Sequence, residues 1–580
     1  MKRFLVLCLL TLLLIGAAVP VFAQVAITDL AALARFVPDK APVYIGFRTD
    51  DDYLATLDAV AQRINAAVPD ADIPPLFESL DDVIGESGLF GEDATFASAV
   101  RSWLGAAGSI SILSVGDLMN SERTDPPVFI SLEVTDRAAA ESFWSVLETT
   151  QDYTRGALGD YTLFSPPASA SDDPSVAIGD NIMFVASVPG SIPSSEVGAS
   201  LLADETFSST LALLPESRYN FVVFANLRDV MQAIFDEASS DMSGMSALST
   251  NLAGIIQNYP PIAFGATNLD ARSFAIDFAL PLANLASFYE DNGISPVPNA
   301  PLNPLFRERI PAGTPLVAHG ADLQAVYRQA VASVRIQMQA LAEADDSFGM
   351  EDFERGLEQA SFVIQGATGL DLETALLPAL TGDYALYLGL NPALAEATRP
   401  MEFLRSNPVD FGLLLSVNDP AVIATLVTNL TNAIRALPPD ANTTIEITPD
   451  TIGSSSVNVI TVTTRDLPFP LEIVLGGDDE VVFIGTPAYA RAALNPDGGL
   501  LANAAYREAA SHILTDERSL LYMASAGLQP LVNVIRVAGN PTSRDADAFA
   551  AVLGLLSSAT ISSGYADDTT YARFVWTFPE

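Results

Sequence analysis

Cysteine, histidine and lysine are nearly missing from this chain, and each shortage removes a class of chemistry. The one cysteine, Cys8, lies in the first apolar run, so the chain beyond it has no disulfide, no thiolate metal site and no cysteine nucleophile. Histidine, the usual acid-base residue near neutral pH, occurs only at His319 and His512, and two isolated histidines make no metal-ligand pattern. Lysine occurs only at Lys2 and Lys40. Val37 stands three positions before Lys40, which excludes an S-x-x-K site there. No G-x-S-x-G elbow, Walker loop or G-x-G-x-x-G motif occurs. Positive charge is scarce altogether: 28 Lys and Arg face 71 Asp and Glu, for a formal charge of -43. Such a surface repels phosphate backbones and anionic membranes, so nucleic acid is disfavoured as a partner.

No apolar run after the first approaches a membrane-spanning length. The first reads as a secretory signal over residues 1–23. Lys2 and Arg3 are its charged region, Phe4 to Ala18 its apolar stretch, and Val21-Phe22-Ala23 a small-residue cleavage site before Gln24. The competing reading is an uncleaved anchor, since the run falls only slightly short of the ~20 residues a spanning helix needs. Pro20 and the cleavage site favour removal, and losing Lys2 and Arg3 would take the charge from -43 to -45.

What is abundant is apolar: 49% hydrophobic against 17% charged. At 580 residues the chain is too long for one core and suits two domains of roughly 250. Thoroughly apolar sheets and helix faces follow. One functional reading is a groove for lipid or another apolar ligand between helix and sheet, beside the plainer one of large cores rich in Ala, Leu and Val.

A single phrase organises the chain. From Pro38 to Ile64, PDKAPVYIGFRTDDDYLATLDAVAQRI reads as strand, acidic cap and amphipathic helix, with Asp50 as N-cap and Asp51 and Asp52 in the first turn. Tyr53, Leu54, Leu57, Val60, Ala61 and Ile64 share one helical face. The phrase returns from Ser217, Pro311 and Arg518, where Asn226, Asp322 and Ser525 hold the capping position.

Between the copies the sequence predicts helices around Phe77 to Val83, from Thr95 to Leu104, and from Arg137 to Leu147 behind the cap Asp136. Strands are expected at Ser109 to Val115, Val128 to Val134 and Tyr161 to Phe164, with a hairpin turning at Gly179-Asp180-Asn181. Ala283 to Glu308, dense in proline, reads as a linker.

Beyond it the first half recurs in order. RFVPDKAPVYIGF at Arg35 matches RIPAGTPLVAHGA at Arg309. GSISILSV at Gly108 matches GDYALYLGL at Gly382, and VAIGDNIMFVAS at Val176 matches IVLGGDDEVVFIGT at Ile473. This predicts an α+β protein of two tandem homologous repeats, residues 24–282 and 309–580, joined by a linker over 283–308, each repeat a mainly antiparallel sheet covered by helices.

The ARFVP lead-in at Ala34, the GDYALYL block at Gly382 and the LLAN helix at Leu500 resemble the exported bacterial proteins of domain-of-unknown-function family 3352. The resemblance spans nearly the whole chain after the signal. It implies fold and export, and no activity, cofactor or site residue.

Chemistry is hard to find in these residues. Asp50-Asp51-Asp52 lacks the alternating ligands, glycine and later glutamate of a calcium loop, and Asp478-Asp479-Glu480 reads as a hairpin tip. Carboxylate pairs suited to glycoside hydrolysis carry no specificity among 71 acids. No catalytic, cofactor-binding or metal-binding residue is therefore assigned. The sequence points to a non-enzymatic exported binding or envelope-structural protein, with an apolar small molecule or a protein as possible partner and no membrane span after cleavage. The alternative is an extracytoplasmic carboxylate hydrolase. Intact-mass measurement of the protein recovered from its own envelope or medium is expected to show a chain beginning at Gln24, and a mass retaining Met1 to Ala23 would establish the anchor instead.

Overall fold

The computed structural model describes residues 25–67, 74, 76–86, 94–119, 128–170, 173–187, 189–193, 198–241, 256–282, 300–344, 350–404, 406–437, 442–465, 467–538 and 544–579. The signal-like segment and the Pro-rich stretch up to residue 299 lie outside them. The fold mixes helices with antiparallel sheet in two compact units, Met1–Leu285 with Ala566–Tyr571, and Ala286–Tyr565 with Ala572–Glu580.

In the first unit the strands of the main sheet are β1 (Val43–Arg48), β2 (Leu104–Ile112), β3 (Val128–Val134), β4 (Thr154–Leu158), β5 (Tyr161–Ser165), β6 (Ser175–Ile178), β7 (Ile182–Ala186), β8 (Phe221–Asn226), β9 (Pro261–Asn268) and β10 (Ser273–Pro281), beside a short antiparallel pair of Val25–Ala26 with Arg218–Tyr219. They pair antiparallel throughout, in the order β10-β9-β8-β1-β2-β3-β7-β6-β5-β4. The sheet alternates as its period-two pattern requires. One face packs Tyr44, Phe129, Phe184, Val222 and Phe224 against the preceding segment Leu30–Val37. Tyr44 donates its hydroxyl to the Leu30 carbonyl at 2.6 Å. Gly46 makes this approach possible, because a Cβ there would sit 2.4 Å from that same oxygen.

Helices α1 (Asp51–Ala67), α2 (Arg137–Trp144) and α3 (Glu205–Leu211) cover the sheet. Tyr53, Leu54 and Leu57 of α1 are buried with Trp103 and Leu104, as the helical stripe predicts, while Phe207 and Leu211 of α3 join the Leu30–Val37 core. The expected helix from Thr95 to Leu104 shrinks to Phe96–Ala99, held by a capping box of Thr95 and Ser98, because Leu104 already opens β2.

The second unit contains β11 (Leu316–Ala321), β12 (Asp383–Leu390), β13 (Val409–Ser416), β14 (Thr443–Ile452), β15 (Ser455–Thr464), β16 (Leu471–Gly477), β17 (Val481–Gly485), β18 (Glu517–Ala524) and most of β19 (Ser558–Ala566) and β20 (Thr569–Thr577), whose Ala566 and Thr569–Tyr571 group with the first. Their order is β20-β19-β18-β11-β12-β13-β17-β16-β15-β14. The core face of this sheet holds Val317, Ala385, Tyr387, Leu414, Phe483, Leu520 and Tyr522 under Leu302, Phe306 and Ile310. Leu302 and Phe306, assigned to the linker by proline content, are thus core residues: Asn303 caps a 3-10 turn over Pro304–Arg309, with Pro304 at a helix-start position that proline suits. Gly46→Ala is expected to cost about 1–3 kcal/mol in urea denaturation by overpacking the Leu30 carbonyl, whereas Gly156→Ala, where a Cβ meets nothing within 4 Å, should be silent.

Candidate functional site: a buried ionic cluster and an apolar trough

Two features of the second unit stand out, on opposite faces of the same strands. On the core face four side chains form a chain of polar contacts. His319 of β11 meets Asp383 of β12 through Nε2 at 2.9 Å, and Arg307 donates its Nε–H to His319 Nδ1 at 3.1 Å. Arg307 also donates to Glu517 of β18 at 2.5 Å, and the Asn303 amide donates to Asp383 at 2.7 Å. The side chains are almost sealed from water, at 0% exposure for His319, 3% for Arg307, 9% for Glu517 and 11% for Asp383. Phe306 stacks on the imidazole at 5.3 Å.

The donors assign the tautomer. Nδ1 accepts from Arg307, so the proton is on Nε2, where it is donated to Asp383. Burial holds His319 below its ordinary value near 6.5. The Asp383 hydrogen bond pulls the other way, and the Arg307 charge lowers it further. Glu517 is pushed above its ordinary value near 4.5 by burial, against the pull of Arg307. An Asp–His pair invites comparison with hydrolase machinery, but the nitrogen that would have to take a proton is already occupied by a guanidinium. The arrangement binds the segment before β11 to three strands, and it activates no nucleophile.

On the other face a row of side chains crosses the sheet in register: Ile561 of β19, Leu521 of β18, Ala318 of β11, Leu386 of β12 and Leu413 of β13. Ile561, Leu521 and Leu386 are 43%, 47% and 46% exposed, unusual for aliphatics in the middle of a sheet. Helical clusters stand on either side. Ile423 and Leu426 of α4 (Pro420–Arg435) pack near Tyr384 and Leu415. Leu528 and, from α6 (Gln529–Ala538) and α7 (Arg544–Gly554), Val532 and Leu553 pack near Leu316, Leu390 and Met523. Leu413 packs against the first cluster, and the rest of the row is the floor of a shallow trough between the two.

The residues weighed from sequence fall elsewhere. Asp50 caps α1 through the Tyr53 amide at 3.1 Å and grips Arg48, while Asp51 pairs with Arg101 at 2.7 Å. Asp322 caps its helix, but Ser525 donates its hydroxyl to the Leu556 carbonyl and caps nothing. Asp478 and Glu480 at the hairpin tip are both held by Arg309. His512 follows α5 (Ala504–Ala510), apart from His319 in the chain. Among the described residues no helix is long and apolar enough to cross a membrane.

The family described as "Protein of unknown function (DUF3352)" matches residues 4–574, and the chain belongs to it. That description assigns no activity. No curated protein matches the chain. A solved chain described as "Structure of crystal form I of TP0453" is similar over 45% of this chain and 86% of that one, at 10% identity and a TM-score of 0.21. A likeness that weak carries no argument.

Arg307→Leu strands Glu517 as an uncompensated buried charge and is expected to cost about 3–5 kcal/mol at pH 7.5. A carboxyl with a raised folded-state value stabilises at low pH and loses that contribution as pH rises through it. The defect should therefore shrink between pH 7.5 and pH 5 in urea titrations, and an equal loss at both would exclude Glu517 as its source.

Proposed function

We propose that the protein is a non-enzymatic, exported binding protein built from two homologous α+β repeats, and that the trough of its second unit holds a single apolar chain with an uncharged or zwitterionic head. The observation that carries this reading is the row Ile561–Leu521–Ala318–Leu386–Leu413, open to solvent at Ile561, Leu521 and Leu386 and half-buried at Ala318 and Leu413. Open aliphatic surface lowers its free energy by about 25 cal/mol for each Å² covered, so a floor of this composition is suited to a covering chain. The row crosses five strands, a span of ~19 Å at ~4.8 Å between strands. That is comparable with one leaflet of a bilayer's ~30 Å hydrocarbon core, which is the length of an acyl chain. A chain charge of -43 disfavours an anionic head.

Duplication is supported by the strand order, which is the same in each unit position for position, and by the matched segments of the two halves. Export and the extracytoplasmic location rest on the signal-like start. The carboxylate hydrolase alternative finds no support, since the matching family is described only as of unknown function and no curated protein matches.

The test is titration with N-phenyl-1-naphthylamine, an uncharged apolar fluorophore. Wild-type protein is expected to enhance its emission saturably. Leu521→Glu should weaken binding at least tenfold without lowering the melting temperature, and Ala318→Ile, which fills the low point between Leu386 and Leu521, should weaken it too. Wild-type protein that gives no saturable signal, or variants that bind as wild type does, would refute the reading.

A further inference from the structure

The cluster and the trough share their strands. β11 turns His319 to the cluster and Ala318 to the trough. β12 does the same with Asp383 and Leu386, and β18 with Glu517 and Leu521, where a bulge between Glu517 and Ser519 shifts the alternation and turns Glu517 to the core face. The cluster also fastens the segment Leu302–Ile310, buried at Leu302, Phe306, Arg307 and Ile310, to those strands, through Arg307, through the Asn303 amide and through the Leu302 amide, which donates to the Glu517 carbonyl at 2.8 Å.

We propose that Arg307, His319, Asp383 and Glu517 form an acid-opened clasp, whose opening frees the segment Leu302–Ile310, loosens the trough floor and releases an apolar chain bound there. The release half rests on the function proposed above; the clasp stands without it.

The groups that face His319 decide its response to acid. The preceding segment brings the Arg307 guanidinium and the Phe306 ring, β12 brings Asp383, and β18 brings Glu517 by way of Arg307. Helix α5 brings Tyr506 beneath Arg307; its phenol is pushed up to about 12 by burial and stays neutral here. Nε2 already carries a proton, so a second can go only to Nδ1. There it meets the Arg307 Nε–H at 3.1 Å, donor against donor and cation against cation. Asp383 can keep its hold on Nε2, but Arg307 has to leave, and its contact with Glu517 is strained with it.

The sign follows from the direction of the shift. The closed state holds His319 below 6.5, while an opened His319 protonates near 6.5. The closed clasp is therefore fully favoured above that pH and loses ground as pH falls below it. Glu517, raised above 4.5, takes up a proton more readily when closed and opposes the effect. One coupled proton then gives at most about tenfold per pH unit.

Hydrogen exchange of the ligand-free protein, corrected for intrinsic rates, reads the clasp directly. Between pH 7.5 and pH 5, amides of 302–310 should exchange at least about fivefold faster, while Leu30–Val37 of the first unit, which contains no histidine, should not change. His319→Gln can accept from Arg307 and donate to Asp383 without titrating, and should abolish the response. An equal acid response in H319Q, or none in wild type, overturns the clasp. If H319Q does not fold, the wild-type midpoint decides: a value between 5 and 6.5 supports histidine control, and one near 4 overturns it. Fluorophore titrations complete the test. Loss of binding at pH 5 in wild type but not in H319Q supports release. Unchanged affinity beside an opened clasp overturns release while the clasp survives, and no binding at pH 7.5 refutes the trough as a site while the exchange rates still decide the clasp.

Discussion

A strand shows its side chains to two faces in strict alternation, so a demand made by the core on one face fixes what stands on the other. In the second unit that demand is the ionic cluster. His319 has to point at Arg307 and Asp383, and this alone commits Ala318 and Gly320 to the opposite side. The antiparallel register then carries the commitment outward, aligning Leu521 and Ile561 on one flank of Ala318 and Leu386 and Leu413 on the other. The trough floor and the buried charges are consequences of one register, and a slip of one residue would bury the leucines and expose the histidine.

The two units meet the same packing problem differently. In each, a short segment before the central strand lies across the core face of the sheet. The first unit solves this with apolar contact and a glycine: Leu30, Ala34 and Phe36 descend onto β1 because Gly46 leaves room for a carbonyl. The second places His319 at the strand register that Gly46 holds in the first, fourth in the central strand and between its two neighbours, and brings Arg307 down onto it from a segment whose first-unit counterpart packs apolar residues such as Leu33. Burying such groups gains little stability over an apolar core, and can lose some, because desolvation offsets most of the attraction. What the ionic solution adds is titratability and directional contact, neither of which the Leu33 and Gly46 arrangement can supply.

Much of this architecture is legible in the sequence, for local reasons. Val43 to Phe47, Val128 to Val134 and the hairpin at Gly179-Asp180-Asn181 carry their own strand and turn signals, and Asp50, Asp136 and Asp322 their own caps. The hairpin of β14 and β15 gives no such signal because TTIEITPDTI mixes polar residues with Pro449, and its stability comes from ten cross-strand partners instead of an apolar run. The cluster is out of reach for the opposite reason. Its members are ordinary residues one at a time, separated by 12, 64 and 210 positions, and only the folded register brings them together. Each half is visible as a pattern of strands, but the chemistry that distinguishes the halves depends on contacts no window of sequence contains.

The shortage of lysine takes on a structural sense beside these contacts. An arginine fork can serve two acceptors at once in fixed geometry, which a lysine ammonium on a flexible stem does less well. Arg309 holds Asp478 and Glu480 together at the hairpin tip, Arg137 spans Glu141 and Asp180, and Arg307 spans Glu517 and His319. In a chain where acids outnumber bases, each cation that joins two acceptors relieves more crowding than one that joins a single acceptor. The same logic bears on Arg307 in particular. A lysine there could pair with Glu517, but it would lack the second, rigidly placed N–H that keeps the Nδ1 of His319 unprotonated, so the tautomer, the link to Asp383 and the pH response all depend on the planar guanidinium.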